Sequence, residues 1–220
     1  MIKAALFDMD GLLFDTEGLG LEMEIKVGES MGYPVTMQMA YDMLGITKEA
    51  GTAYLHRFFP DLNGDEYWHR FDLGMQEHIK NQGTPLKRGC VEILTALREK
   101  GIPYALVSST GRRMIDFYLE NSAVAGMFDV IVSGDMGLES KPSPQPFLKG
   151  AELLGVDIRE CCVLEDSVNG LRAGRAAGAH TVMVPDLVPC GEMHRGQVDF
   201  VARDLNEALR HILEEECSML

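Results

Sequence analysis

The stretch Ala4-Ala-Leu-Phe-Asp8-Met-Asp10-Gly11 places four apolar residues directly before two carboxylates. A short apolar run of this kind is typical of a buried strand in a parallel sheet. Open α/β sheets bind ligands beyond the carboxyl ends of their strands, so Asp8 and Asp10 lie where such a fold carries its chemistry. Side chains two residues apart on an extended chain point to the same side, and Gly11 permits a sharp turn after them. The stretch therefore predicts a buried strand that delivers two acids to one ligand site.

Further apolar runs of strand length alternate with segments of helical period along the chain. The predicted strands are residues 2–7, 104–107, 130–132, 162–164 and 181–184. Strands separated by helices pair in parallel and place the helices on both faces of the sheet. The sequence therefore predicts an α/β fold with a Rossmann-like, doubly wound parallel sheet.

One interval, residues 16–82, interrupts this alternation. It contains no convincing strand, and Leu19, Met23, Val27 and Met31 recur every four residues, which is typical of an amphipathic helix. We therefore expect a helical domain of residues 16–82 inserted into a core of residues 1–15 and 83–220.

Composition excludes several classes of partner. The 220 residues include 34 acidic and 20 basic side chains, which gives a formal net charge of −14. Nucleic acids and anionic membranes are bound largely through Lys and Arg, so neither is expected as a partner. The sequence shows no secretory signal or apolar transmembrane stretch, and its five cysteines show no C-x-x-C spacing. We expect a cytoplasmic, monomeric protein with reduced thiols.

Three other segments carry polar side chains at strand ends or before a helix. They are Ser108, Ser109 and Thr110 after the run 104–107, Lys141 before a helix, and Glu165 and Asp166 after the run 162–164. In a doubly wound sheet such positions converge on one crevice. Hydroxyl and backbone N–H groups can hold phosphoryl oxygens, while carboxylates suit Mg²⁺. The pattern favours a site for a small phosphorylated molecule with Mg²⁺.

Taken in order, these segments resemble the four motifs of the haloacid dehalogenase superfamily. The matching positions are Asp8-Met-Asp10-Gly11, Ser108, Lys141 and Glu165-Asp166. The residues from Asp8 to Glu17 are similar to the opening of the branch that contains sugar-phosphate phosphatases and β-phosphoglucomutases. The insert at 16–82 resembles the helical cap of that branch. The second acid, Asp10, favours phosphate chemistry over dehalogenation.

The resemblance implies a role for each matched core residue. Asp8 would be the nucleophile that forms an aspartyl-phosphate, and Asp10 would be the general acid and base. Ser108 would donate a hydrogen bond to the transferring phosphoryl group. Lys141 would neutralise charge beside Asp8 and the phosphate.

The resemblance also implies a Mg²⁺ site and a substrate region. The implied metal residues are Asp8, Asp10 through the backbone, Glu165 and Asp166. The implied phosphate or substrate contacts are Ser109 and Thr110 in the core and Thr47 and Lys48 in the insert. Four more side chains, those of His69, Arg70, Arg112 and Arg113, could touch a substrate, although exposed charge is their default.

Two departures in the insert bear on the reaction. Gly20 stands where β-phosphoglucomutases carry a histidine, and Lys48 stands where they present an arginine. We therefore expect a Mg²⁺-dependent phosphatase for a small phosphomonoester, with a sugar phosphate favoured. A β-phosphoglucomutase-type isomerase is the first alternative. A non-catalytic binding protein on a retained fold is the second, and the complete set of acids, Ser108 and Lys141 argues against it.

Overall fold

A computed structural model describes residues 2–44, 46, 48–187, 189–194 and 196–217. The chain forms two compact units, one of Met1–Asp15 with Thr84–Leu220 and one of Thr16–Gly83. Gly83 belongs to the second unit because it ends a long helix, where its N–H donates to the carbonyl of Ile79 at 2.8 Å. The expectation that the second unit acts as a cap stays a prediction.

The described part of the chain contains six strands and nine α-helices. In sequence they are β1 Ala4–Phe7, α1 Thr16–Ser30, α2 Met37–Asp42, α3 Lys48–Leu55, α4 Gly64–Gln82, α5 Cys90–Glu99, β2 Tyr104–Val107, α6 Arg112–Glu120, β3 Val130–Val132, α7 Gln145–Leu154, β4 Cys161–Glu165, α8 Val168–Ala177, β5 His180–Met183, β6 Phe200–Val201 and α9 Leu205–Cys217. Short 3₁₀ helices cover Ile158–Glu160 and Glu192–His194.

The strands form a six-stranded parallel sheet in the order β3-β2-β1-β4-β5-β6. The predicted α/β class and the doubly wound parallel sheet are confirmed. The sixth strand, Phe200–Val201, was not expected, because two residues are too short to show a strand pattern. The residues on either side of this strand also bond to β5. The N–H of Asp199 donates to the carbonyl of Thr181 at 2.9 Å, and the N–H of Ala202 donates to the carbonyl of Met183 at 2.8 Å.

Successive side chains of β1 pack into two different apolar clusters, one on each face of the sheet. Phe7 lies with residues of α5 and α9, including Leu94 and Ile212. Leu6 lies with residues of α7 and α8, including Phe147. Because both faces are covered, β1 is buried along its whole length, which explains its uninterrupted apolar sequence.

The helical unit is held together by an apolar stripe on α1. Leu19, Met23 and Val27 of this stripe are buried, as the four-residue spacing predicted, whereas Met31 follows the end of α1 and is half-buried. The side chain of Tyr67 on α4 is fully buried, and its hydroxyl donates to the backbone carbonyl of Glu24 at 2.9 Å. This bond satisfies a phenol that burial would otherwise leave without a partner.

Among the helices of the described residues, none is long and apolar enough to cross a bilayer. Four cysteines are free thiols, with Cys90, Cys161 and Cys162 buried and Cys190 exposed. Burial raises the pKa of Cys161 to about 11, so this thiol stays protonated and unreactive near neutral pH.

Glycines on α8 bring this helix close to the sheet. A Cβ atom on Gly174 would lie 2.9 Å from Val163 Cγ1 and 3.0 Å from Thr181 Cγ2, and one on Gly170 would overlap the Glu165 carboxylate. A glycine inside a helix costs about 1 kcal/mol relative to alanine. That cost is offset by the close contact of α8 with β4 and β5.

We predict that Gly174→Val lowers the free energy of unfolding by about 1–3 kcal/mol, because the new side chain overpacks the interface between α8 and the sheet. Arg172→Val is the matched control, since it introduces the same side chain on the exposed side of the same helix. Its cost should stay below about 0.5 kcal/mol, the difference in helix propensity. Equilibrium urea unfolding measures both, and equal losses would contradict the packing argument.

Candidate active site

The carboxyl ends of β1 and β4 bring acidic side chains from distant parts of the chain together. The two strands are adjacent and in register, with Phe7 opposite Leu164, and the N–H of Asp8 donates to the carbonyl of Leu164 at 3.1 Å. Asp8 and Glu165 therefore leave neighbouring strands at the same edge of the sheet. Both side chains, and that of Asp166, are buried.

Lys141 is the cation at the centre of this acidic edge. Its ammonium group donates to Asp8 Oδ1 at 2.5 Å, to Glu165 Oε1 at 2.7 Å and to the Val107 carbonyl at 2.9 Å. The Lys141 side chain is 6% exposed. All three of its N–H donors are thus used on groups from β1, β2 and β4 or the residues that follow them.

The pKa values of this pair follow from burial and mutual attraction. Burial raises the pKa of Asp8, the Glu165 carboxylate adds to the rise, and the positive charge of Lys141 opposes it. Burial alone would lower the pKa of Lys141, but the charges of Asp8 and Glu165 raise it above its ordinary value. Lys141 therefore stays a cation near neutral pH, and its charge limits the rise in the pKa of Asp8, which burial brings to about 8.

Glu165 organises the loop that follows β4. Its Oε2 accepts hydrogen bonds from the N–H groups of Asp166 and Ser167 at 3.1 and 3.0 Å and from the Ser167 hydroxyl at 2.9 Å. Its Oε1 accepts from Lys141. Both oxygens are therefore engaged, and the absent side chain of Gly170 leaves the space that the carboxylate occupies.

The buried carboxylates form a group that suits a hard cation. One oxygen from each of Asp8, Glu165 and Asp166 lies within 4.8 Å of the others. Mg²⁺ prefers carboxylate oxygens, usually one or two together with water and phosphate. The residues therefore fit a divalent ion of this kind. Glu165 already accepts four hydrogen bonds, which leaves its oxygens less available to an ion.

Asp10 faces β2 and the polar segment that follows it. Thr110 Oγ1 donates to Asp10 Oδ2 at 2.9 Å, and the N–H of Thr110 donates to the hydroxyl oxygen of Ser108 at 3.0 Å. Ser108 is buried, whereas Ser109 is exposed. The contact of Thr110 orients the Asp10 carboxylate. The Ser108 hydroxyl accepts one bond and keeps its own hydrogen for donation.

The remaining predicted substrate residues that the structure describes lie on helices. Lys48 lies in the helical unit and donates to both oxygens of Asp72 at 2.7 and 2.6 Å, while Thr47 lies outside the described residues. Other candidates sit on helix surfaces: Arg70 pairs with Glu66, Arg112 pairs with Asp116, and His69 and Arg113 are exposed.

A second ion pair near the site was not anticipated from the sequence. Lys87 donates to Asp186 Oδ1, and the Asp186 side chain is 6% exposed. Asp186 follows β5 as Asp166 follows β4. Its position as an acid shortly after the predicted strand 181–184 was therefore a sequence signal that could have identified it as a site residue. Lys87 precedes α5 and is 99 residues away along the chain, so no local pattern connects it with Asp186.

The chain is similar to known proteins over most of its length. A family model described as "Haloacid dehalogenase-like hydrolase" matches residues 5–184. Hexitol phosphatase B of Escherichia coli (strain K12) is 33% identical over 187 residues, covering 84% of this chain and 84% of that protein. The phosphorylated carbohydrates phosphatase of Thermotoga maritima is 32% identical over 184 residues, covering 82% and 84%.

Two other similarities concern a longer protein and a solved structure. The chain matches only 18% of the protein SUPPRESSOR OF QUENCHING 1, chloroplastic, of Arabidopsis thaliana, at 33% identity over 83% of this chain. The crystal structure of a HAD family hydrolase from Deinococcus radiodurans R1, with bound phosphate and sodium, superimposes with a TM-score of 0.83. That pair is 27% identical and covers 97% of this chain and 96% of the hydrolase.

We predict that Lys141→Met lowers the free energy of unfolding by about 3–5 kcal/mol, because it leaves two buried carboxylates without their cation. Lys149→Met, which removes the more exposed pair with Glu152, should cost no more than about 1 kcal/mol. Urea unfolding at neutral pH measures both variants. A loss at Lys141 as small as that at Lys149 would contradict the charge balance described here.

Proposed function

The chain belongs to the haloacid dehalogenase-like hydrolases and is a phosphoric monoester hydrolase, and we propose that it is a Mg²⁺-dependent phosphatase that acts on a small sugar phosphate through a phosphorylated Asp8. The observation that supports this proposal most directly is the buried Asp8 carboxylate, bonded to Lys141 and within 4.8 Å of Asp166 and Glu165 oxygens. A nucleophilic carboxylate, a neutralising cation and metal-binding oxygens are thereby combined at one sheet edge.

In the proposed first step, an Asp8 oxygen attacks the phosphorus atom of the substrate. The bond between phosphorus and the leaving oxygen breaks, and Asp10 gives its proton to that oxygen. Lys141 offsets the approach of two anions, and the Ser108 hydroxyl donates to the phosphoryl group. The hydrogen bond from Thr110 holds the Asp10 carboxylate in one orientation for this proton transfer.

In the proposed second step, water attacks the phosphorus of phosphorylated Asp8. Asp10 takes the proton of that water, the bond between Asp8 and phosphorus breaks, and inorganic phosphate leaves. Both side chains return to their starting protonation states, so the cycle is balanced. Mg²⁺, held by Asp8, Asp166 and a backbone carbonyl beside them, would neutralise phosphoryl charge.

A sugar phosphate is the substrate class that the relatives favour, since two of them are named for phosphorylated hexitols and carbohydrates. We assign substrate selection to the helical unit. Within that unit Lys48 is neutralised by Asp72, and a Cβ on Gly20 would meet only Phe71, at 3.8 Å. These contacts leave the unit without a free arginine-like phosphate clamp at position 48.

A substrate panel tests the proposal. Phosphate release is measured from hexitol phosphates, hexose phosphates, pentose phosphates and a generic aryl phosphate, with Mg²⁺ and with excess EDTA. The expected result is hydrolysis that is strongest on a sugar or sugar-alcohol phosphate, is lost in EDTA and returns with added Mg²⁺. Full activity in EDTA would contradict the metal requirement, and inactivity on every sugar phosphate would contradict the substrate class.

We predict that Asp8→Asn reduces turnover by at least about a thousandfold, on the scale seen when catalytic nucleophiles are removed, because the amide keeps the shape but lacks the attacking anion. Asp129→Asn, a change at an exposed position, is the control and should keep wild-type turnover. Steady-state phosphate release measures both. An Asp8 variant that kept a tenth of the activity would rule out covalent catalysis at this residue.

A coupled assay separates hydrolase from mutase. With β-glucose 1-phosphate, a bisphosphate activator and Mg²⁺, we expect phosphate release or no reaction, and little glucose 6-phosphate. The physical reason is that Gly20 offers no side chain and Lys48 is held by Asp72, so these two positions do not supply the contacts by which a mutase would retain its intermediate. Formation of glucose 6-phosphate much faster than phosphate release would establish the isomerase instead.

A further inference from the structure

The side chain of Asp186 is a buried carboxylate that no step of the proposed reaction uses. It lies three residues beyond the end of β5, at the same edge of the sheet as Asp8 and Asp166. Its Oδ1 accepts a hydrogen bond from Lys87, whose side chain is 21% exposed. Asp15 approaches the same ammonium group only to 3.9 Å and is 48% exposed. Lys87 and Asp186 therefore form one close, largely buried ion pair.

The other oxygen of Asp186 lacks a hydrogen-bond partner among the described residues. Oδ2 is buried and accepts no hydrogen bond from the residues that the structure describes. A buried polar atom left unbonded costs about 1–3 kcal/mol, and more when it carries charge. Native structures avoid this cost with a bonded water or ion. A carboxylate oxygen can only accept, so whatever completes Asp186 must be a donor or a cation.

Asp186 Oδ2 faces the same small space as the Asp166 carboxylate. A Cβ built on Gly11 would lie 2.5 Å from Asp166 Oδ2 and 3.3 Å from Asp186 Oδ2. One oxygen of Asp166 also lies within 4.8 Å of one oxygen of Asp186. Gly11 has a φ of +79°, so both conformation and space require a glycine there. The two carboxylates thus converge over a gap that the backbone keeps open.

A spacing of up to 4.8 Å leaves room for one water molecule between the two acids. Two hydrogen bonds of about 2.8 Å from one water span two acceptors at this separation. Mg²⁺ keeps several of its own waters when it binds proteins, and these waters are strong donors. Residues that bond to such waters or ligands orient the metal site without ligating the ion.

We propose that Asp186 is a positioning residue of the metal site: its Oδ2 accepts a hydrogen bond from a water of the Mg²⁺ bound at Asp8 and Asp166, while Lys87 holds its Oδ1. This inference rests on the proposed Mg²⁺-dependent function. Lys87 gives the carboxylate a fixed direction, because the ammonium group occupies one oxygen and turns the other toward Asp166.

Asp186→Asn is the decisive variant. Lys87 can only donate, so it selects the amide oxygen and turns the amide nitrogen toward Asp166, where a donor replaces the acceptor. We expect the Kd for Mg²⁺, measured by calorimetric titration of the substrate-free full chain, to rise about 10- to 100-fold. Asp15→Asn removes one carboxylate charge beside the same lysine and should change the Kd less than about threefold.

Thermal unfolding with and without Mg²⁺ provides a readout that does not depend on activity. Bound Mg²⁺ should raise the Tm of the wild type and of Asp15→Asn, and should raise that of Asp186→Asn much less at equal Mg²⁺ concentration. A purely structural role for the pair with Lys87 would lower the metal-free Tm and leave the Mg²⁺ increment unchanged. That result, or a Kd for Asp186→Asn within threefold of wild type, would overturn the inference.

Failure of the proposed function gives a different pattern. If the wild type itself binds no Mg²⁺ and releases phosphate equally well in EDTA, the metal requirement fails and the inference about Asp186 fails with it. If the wild type binds Mg²⁺, Asp166→Ala abolishes binding and Asp186→Asn binds normally, the metal site stands and only the role of Asp186 is wrong.

Discussion

The site depends on the three hydrogen bonds that the ammonium group of Lys141 donates. This group bonds to Asp8 after β1, to Glu165 at the end of β4 and to the carbonyl of Val107 at the end of β2. Two buried carboxylates on adjacent strand ends repel each other and lose their hydration. A single buried cation offsets both costs only if all three loops hold their positions. At the carboxyl edge of the sheet, the central strands are therefore held together by the ion pairs and the hydrogen bond of Lys141. Apolar packing holds the same strands along their length.

Close packing of α8 against the sheet serves the same arrangement. The missing side chain of Gly170 makes room for the Glu165 carboxylate, and Glu165 in turn bonds to the backbone of Asp166 and Ser167. The second pair, Lys87 with Asp186, repeats the principle on the other side of Asp166. In a chain with a net charge of −14, Lys141 pairs with the buried Asp8 and Glu165, and Lys87 pairs with the buried Asp186. Of these cations, Lys141 is the one assigned to offset the charge of an anionic ester in an acidic protein.

Much of the fold and of the site was predictable because the signals are local. Apolar runs marked β1 to β5, and a four-residue apolar spacing marked α1. Parallel strands end at one edge, so Asp8, Asp166 and the residues after β2 were expected to converge before any distance was known. The two-residue strand β6 carries no such signal. Glu165 was expected as a ligand or a support, and its four accepted hydrogen bonds favour the supporting role.

By itself, the sequence determined the class of fold, the helical insert, the acids at the strand ends and the lysine before α7. It could do so because residue type, hydropathy period and position at the end of a strand are properties of short segments. Only the tertiary structure decided how those groups are paired. It directed Lys141 to Asp8 and Glu165, joined Thr110 to Asp10 and joined Lys87 to Asp186. Hydrogen bonds form over about 3 Å in space between residues as far as 133 apart in the chain, and no local pattern encodes that distance.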